Sequence, residues 1–413
     1  MPAMTLAPKK GLVPILGFAA VCFGLLWLLY EPNEETRVIA VMVPLTGDFT
    51  PKGHEHLRAA GLALRQTLAE EKHADCRSLA WRILGFDTNG LDRRSLILDG
   101  ITKDLAETKP VATVGFHTSG ELQGALKYDE DRADSPNSWM PLPEFIITPT
   151  ATAVLRDVPP LRDNDSERTT FLRACPDSRS IARVLLDSAV EKASPGLPEL
   201  RVQVLYESTE YGRDLRRAIE ECADGQNGCA SWRLSHSSRG DRAVVIEAVP
   251  IADELEQPER YEGPVIVAAS HASADALFRR WQDEGLNSLT PLICSDGIFT
   301  KLVLCQLDGY FKNLSVVSLA PGKEKLEEYK GAYAAEYNDA SPDGYGYWTW
   351  VYLRRIVSDF CGGEPEPLAA IVDEARASQS GAGGALVLNL NEAAQLHSPL
   401  SFEEAVDFLG CSD

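Results

Sequence analysis

The sequence is short of positive charge: 40 Lys and Arg stand against 61 Asp and Glu, a formal net charge of −21 over 413 residues. A nucleic-acid partner needs a basic face to neutralise phosphates, and this chain has no cationic excess to build one. The same deficit argues against adsorption of the folded part to an anionic membrane surface. Nucleotide signatures are missing too. No Gly-x-Gly-x-x-Gly follows a strand-like run and no Gly-x-x-x-x-Gly-Lys-Ser/Thr occurs, while Gly381-Ala-Gly-Gly384 trails a Ser/Gln stretch and reads as a linker. There is no Gly-x-Ser-x-Gly elbow, and no His or acid in the context of a triad. There is no Cys-x-x-Cys, so redox catalysis and structural zinc lack support. His54 and His56 are two residues apart and do not share a helical face, which argues against a metal pair. The expectation is a protein without a catalytic residue, a metal or a cofactor.

What is present begins with one long hydrophobic run. Residues 11–30, GLVPILGFAAVCFGLLWLLY, form 20 uncharged positions, about the length of helix that crosses a hydrocarbon core. Lys9 and Lys10 precede it and Glu31, Glu34 and Glu35 follow, so the positive-inside rule leaves residues 1–10 in the cytoplasm and exports the rest. The run reads as a single-pass anchor, with a cleaved signal peptide as the alternative; its end, Leu-Trp-Leu-Leu-Tyr, has no small-x-small cleavage site. Either way the folded part is expected outside the cytoplasm, in the periplasm or at the cell surface. Beyond Cys22, eight cysteines remain, an even number that in an exported chain reads as up to four disulfides. Cys222–Cys229, flanking a Gly-containing turn, is the expected pair, followed by Cys361–Cys411.

With 44% hydrophobic and 24% charged residues, the chain is a folded globular one. Short apolar runs alternate with amphipathic stretches: strands are expected over residues 38–45, 81–86, 111–114 and 145–148, with helices between them. The rhythm restarts after an irregular stretch at 157–168, with strands at 201–206, 264–268, 289–294 and 314–319. Residues 129–143 read as a loop insertion and 378–384 as a Gly/Ser connector. Such β-α alternation implies parallel sheets flanked by helices, in two successive units.

In open α/β sheets, ligands bind outside the carboxyl ends of the strands. Here those ends carry His117-Thr118-Ser119 and Thr148-Pro-Thr150-Ala151-Thr152 in the first unit. The second offers Tyr211, Ser270-His271 and Asp296. Hydroxyls at helix N-termini can seat a carboxylate. A facing acid suits a zwitterion, with Asp296 meeting the ammonium; taken by spacing alone, Asp296 reads as an ordinary N-cap or turn residue.

These segments together resemble the branched-chain amino-acid binding proteins of ABC importers. The resemblance runs from VIAVMVPLTGDFTPKGHEHLRAAGLALRQTLA (38–69), through Val111-Ala-Thr-Val-Gly115 with Thr118-Ser119, to Ile147-Thr-Pro-Thr-Ala-Thr152. It continues with Thr170-Phe-Leu-Arg173, Val204-Leu-Tyr-Glu207 with Tyr211-Gly212, Ile293-Cys-Ser-Asp-Gly297 and Tyr329-Lys-Gly-Ala-Tyr333. It implies a two-lobed type I periplasmic-binding-protein fold, each lobe a parallel sheet flanked by helices, preceded here by the N-terminal helix. Lobe one would comprise 37–153 and 316–378, and lobe two 154–315 and 379–413. The ligand would lie between Ser119, Thr150, Ala151 and Thr152 on one side and Tyr211 and Asp296 on the other, with His117 and Ser270 nearby. The implied function is capture of a small amino acid or similar zwitterion for delivery to an ABC permease. A tethered sensor that signals occupancy to a membrane receptor is the alternative. Two departures stand out: Ser270 where amino-acid binders often carry Tyr, and Lys52 where a cleft aromatic often lies.

Overall fold

The structure is a computed structural model. It describes residues 36–91, 95–133, 142–143, 145–152, 169–193, 199–226, 243–307, 309–319, 323–338, 342–362, 387–389, 399–409 and 411. The expected anchor at 11–30 and the connector at 378–384 lie outside these residues. Among the described residues, no helix is long and apolar enough to cross a membrane.

Two sheets organise the chain. The first is ordered β11(Val387–Asn389), β5(Thr170–Arg173), β4(Phe145–Thr148), β3(Ala112–Gly115), β1(Arg37–Val43), β2(Trp81–Asp87). The second is ordered β12(Leu400–Ser401), β10(Leu314–Val316), β9(Leu292–Cys294), β8(Val265–Ala268), β6(Glu199–Tyr206), β7(Ala243–Pro250). Neighbours pair in parallel except β10 with β12, which is antiparallel.

The continuous apolar run of β1 is explained by burial on both faces, as parallel sheets require. Ile39, Val41 and Val43 join the core under helix α1(Thr50–Ala69), with Ala59, Leu62 and Ala63. Ala40 and Met42 join a separate core on the opposite face. That core takes Leu98, Ile101 and Leu105 from α2(Ser95–Thr108), and Leu122, Ala125 and Leu126 from α3(Ser119–Ala133). α3 extends to Ala133, so the expected loop insertion from 129 begins as helix and its middle, 134–141, lies outside the described residues.

The second sheet is covered by α4(Ser178–Lys192), α5(Glu210–Ala223), α6(Ile251–Glu256), α7(His271–Asp283) and α8(Lys301–Leu304). Two of these start on side-chain caps: Asp177 accepts from the Ser180 N–H at 2.9 Å, and Thr209 from the Gly212 N–H at 3.4 Å. α9(Lys323–Tyr337) and α10(Tyr347–Cys361) return to the first lobe, where α10 packs along α1. α11(Phe402–Leu409) closes the chain beside β10 and α8.

The sheets differ from the expected lobe boundaries in two places. β5 and β11 both join the first sheet, although residues 154–315 and 379–413 were expected in lobe two. The four residues of β5, TFLR, are all buried against β4, and the chain passes to the second lobe only after Arg173. The edge strand β7 was not expected at all.

The disulfides also differ. Cys361 bonds to Cys76, not to Cys411, and Cys411 bonds to Cys305. The reason is topological: Cys361 ends α10 on lobe one, whereas the C-terminal helix α11 packs on lobe two. Cys175 and Cys294 are free and buried, so the eight cysteines do not make four bonds. Cys222 is disulfide-bonded, and Cys229, its expected partner, lies outside the described residues.

A bridge closing a loop of 106 residues restricts the unfolded chain strongly. Replacing Cys305 and Cys411 by alanine is expected to lower stability by about 4 kcal/mol in denaturant titrations. Non-reducing peptide mapping should recover 76–361 and 305–411 bridges; a 361–411 peptide would contradict the topology.

Candidate functional site

The carboxyl ends of the two sheets face each other. On lobe one, β1 leads into α1 through Phe49, with Pro51 in the first turn of the helix. Helix and strand end approach so closely that a Cβ on Gly53 would lie 1.9 Å from the Pro44 carbonyl oxygen. Only glycine fits there, and the contact fixes its neighbour Lys52 in the cleft. On lobe two, a Cβ on Gly297 would lie 2.4 Å from the Ala269 carbonyl oxygen, which seats Asp296 against the end of β8 in the same way.

Lys52 is 4% exposed and its ammonium reaches across the lobes. Nζ lies 3.5 Å from the Gly297 carbonyl oxygen, 3.9 Å from the centroid of the Tyr345 ring and 5.6 Å from that of Phe49. Burial lowers its pKa to about 8, partly offset by attraction to Asp343, Asp296, Glu55 and Glu207. Other links between the lobes are Tyr345 OH to the Asp296 carbonyl at 2.5 Å, Gln123 Nε2 to Glu210 Oε1 at 3.0 Å, and Phe49 edge-on to His271.

The site residues expected on lobe one are all buried at strand ends. His117 follows β3; its Nδ1 is 2.9 Å from Thr150 Oγ1 and 3.1 Å from His56 Nε2, while Thr150 Oγ1 donates to the His117 carbonyl at 2.8 Å. Ala151 is fully buried and its carbonyl accepts from Arg173 Nε at 3.1 Å. The Thr152 carbonyl caps the start of α4 by accepting from Ser178, and its hydroxyl is buried without a hydrogen-bond partner among the described residues. Ser119 opens α3, whose N-terminus holds a capping box: Thr118 Oγ1 accepts from the Glu121 N–H, and Glu121 Oε2 accepts from the N–H groups of His117 and Thr118. The chain thus places its own carboxylate on part of the helix N-terminus that was expected to seat a ligand's.

On lobe two, Tyr211 OH donates to Asp296 Oδ1 at 2.6 Å and accepts from the Gly297 N–H at 3.3 Å. Burial pushes the Asp296 carboxyl up, with Tyr211 and the charge of Lys52 pulling it back. Ser270 Oγ donates to Glu207 Oε2 at 2.6 Å, and Thr209 Oγ1 to Glu207 Oε1 at 2.6 Å. Ser270 therefore spends its hydroxyl on an acid of its own lobe.

Four further residues of the site were not among the expected ones. Glu55, in α1, accepts from Tyr329 OH and from the N–H groups of Asp343 and Gly346 at the start of α10. Burial, then mutual repulsion with Asp343, pushes Glu55 up to about 7, and burial raises Asp343 to about 6. Tyr345 and Phe49 supply the rings around Lys52. A small pocket beside them is lined by Asp296, Phe299, Leu319, Asp343 and Tyr345. Spacing around the second chain crossing could not reveal Asp343 and Tyr345, because the fold alone brings them under α1. Among the described residues, no group of His, Cys, Asp and Glu is disposed to hold a metal ion.

No family model matches the sequence, and no curated protein matches it. Solved structures do. The chain is similar to the branched-chain amino acid transporter substrate-binding protein LivJ of Streptococcus pneumoniae in complex with isoleucine, at 13% identity and TM-score 0.57 over 89% of this chain and 99% of that one. It is similar to the leucine-binding protein LivK of Thermotoga maritima, at 14% and 0.54 over 87% and 93%. It is similar to an ABC transporter solute-binding protein of R. palustris in complex with benzoate, at 14% and 0.55 over 80% and 83%. At such identities the likeness establishes the fold: this is the two-lobed type I periplasmic-binding-protein architecture that the motifs predicted.

The buried histidines give the site a pH signature. Burial and then the nearby Lys52 charge lower His56 to about 3, so the folded state refuses a proton that the unfolded chain accepts below about 6.5. Stability tied to this group is present above pH 6.5 and falls as pH drops toward 3. Between pH 7 and 5 the loss from His56 alone is about 2 kcal/mol. Urea titrations at the two pH values should show that difference shrinking by about this amount in His56→Gln. An unchanged difference would mean that His56 is charged when folded.

Proposed function

We propose that this chain is an extracytoplasmic solute-binding protein, held at the membrane by its N-terminal hydrophobic run, that captures a small solute between its lobes for an ABC-type importer. One observation carries the proposal: the carboxyl ends of two parallel sheets converge on a buried cleft whose walls are polar on both sides. On this reading Thr150 and Thr152 form one wall and Tyr211 and Asp296 the other, supported by the burial of Thr150, Thr152 and Asp296 and by the reach of Lys52 and Tyr345 across the lobes. Such a crevice binds ligands by surrounding them. Closure of two lobes excludes water and strengthens each polar contact inside. No step of this reading breaks a bond, so it assigns binding roles to Ser119, Thr150, Ala151, Thr152, Tyr211, Asp296, His117 and Ser270 and no catalytic one.

Further support comes from the neighbours in fold, which include an isoleucine complex and a benzoate complex of transporter binding proteins. Both ligands are small carboxylates, and only one carries an amine. The same backbone therefore accommodates either class, and the ligand of this chain, an amino acid or a related polar acid, is decided by its walls. Disulfides in each lobe support the extracytoplasmic placement.

A thermal-shift screen of the full-length protein in detergent against amino acids, amides and small carboxylates tests this reading. A solute at 100 times its Kd stabilises the folded state by about 2.7 kcal/mol and raises Tm by a few degrees. If no small solute moves Tm, the protein is not a solute-binding one.

A further inference from the structure

We infer that the cleft selects an amine-free organic carboxylate with a small apolar body, because Lys52 supplies from the protein the positive charge that an amino acid would carry as its own ammonium. The inference rests on the solute-binding reading and narrows it.

The carrying observation is the state of the Lys52 ammonium. It is deeply buried, has three N–H donors and, among the described residues, reaches a single acceptor, the Gly297 carbonyl, at the long distance of 3.5 Å. Tyr345 lies beneath it and Phe49 beside it. Four acids surround it closely enough to act on its charge, yet among the described residues none is within ion-pairing distance. Most of their oxygens are engaged elsewhere: Glu207 by Thr209 and Ser270, Glu55 by Tyr329 and two backbone N–H groups before α10, Asp296 Oδ1 by Tyr211, and Asp343 Oδ1 by the Lys301 N–H at 3.4 Å. A buried cation surrounded by charge but not touched by it is incomplete, since burial is tolerated when the charge is both paired and hydrogen-bonded.

Among the described residues, the cleft therefore holds donors that nothing completes. The Lys52 ammonium has N–H groups to spare, and the Thr152 hydroxyl, 1% exposed, has no hydrogen-bond partner among the described residues. A ligand that completes the site must bring acceptor oxygens. A carboxylate brings two, with charge of the right sign. An amino acid would bring the carboxylate together with an ammonium, and that ammonium would need a free acid. Asp296 and Asp343 are the nearest acids, but the Lys52 charge already acts on both, and one oxygen of each is taken, by Tyr211 and by the Lys301 N–H. The second cation would also repel the first in a low-dielectric cleft, which is how a site rejects the wrong class. The rings of Phe49, Tyr345 and His117 leave the rest of the ligand an aromatic wall, suited to a short apolar body.

Matched solutes separate these outcomes. Isothermal titration of the full-length protein in detergent would compare isoleucine, 3-methylpentanoate (the same skeleton without the amine) and 3-methylpentanamide (the same skeleton without either charge). We expect 3-methylpentanoate to bind at least tenfold more tightly than the other two. Lys52→Met should weaken it by at least tenfold while folding normally, as removal of a buried charge permits; Lys52→Gln serves if that variant does not fold. Tighter binding of isoleucine, equal binding of the amide, or unaltered carboxylate affinity in the Lys52 variant overturns the inference. If none of the three binds but another solute from the wider screen does, the inference falls and the solute-binding reading stands. If nothing binds, both fall.

Discussion

The burial of one cation organises the cleft. Lys52 sits at the start of α1, where the helix leaves the first sheet, and its ammonium lies against the turn that opens with Asp296 on the other lobe. Its charge is felt throughout the site. It helps to keep His56, His117 and His271 neutral, and it restrains the upward shifts of Asp296 and Asp343. Burial is the larger cause in each case, but burial alone would leave a site of uncharged groups. With Lys52 present, the acids keep an electrostatic reason to remain ionised and the histidines a reason not to become so.

Two close approaches make that placement possible. Gly53 lets α1 start against Pro44, and Gly297 lets the Asp296 turn start against Ala269. Neither glycine needs a left-handed backbone; each is required because any side chain would strike a carbonyl group. The consequence is that the two charged groups facing each other across the cleft, Lys52 and Asp296, are both carried by backbone pressed onto a strand end. Their geometry is set by sheet and helix packing and owes little to loop conformation.

Much of this was legible in the sequence. The apolar run of β1, the hydroxyl-bearing strand ends and the order of the motifs pointed to two parallel α/β units with a polar cleft, and the fold agrees. Lys52 stood out as a departure even before its surroundings were known. What was not legible is long-range. Tyr345 and Asp343 reach the site across nearly 300 residues of chain, so no local pattern marks them. The pairing of Cys361 depends on α10 returning to lobe one, and a rule that pairs the last two cysteines cannot see that return. β5 was expected in lobe two, since it follows the irregular stretch at 157–168; pairing with β4 and β11 makes it part of the first sheet.

The disulfides show which contacts are left to hold the lobes together. Cys76–Cys361 ties α10 to the segment after α1 in lobe one, and Cys305–Cys411 ties the C-terminus to lobe two; neither crosses the cleft. Besides the chain crossings, contacts joining the lobes include those of Lys52, Tyr345, Phe49 and Gln123, the Lys301 N–H to Asp343, and Lys323 and Lys330 of α9 against Glu404, Asp407 and Phe408 of α11. These are mostly polar, and separating the lobes would return Lys52 and Asp296 to water, where both are well solvated. Closing them therefore costs desolvation of both charges, and a solute reduces that cost only if it interacts better with the closed arrangement than with the open one. A ligand oxygen on Lys52 does so most directly, because that ammonium is the group that burial leaves least satisfied. In the proposed reading, the selectivity of the cleft and the energetics of its closure thus depend on the same side chain.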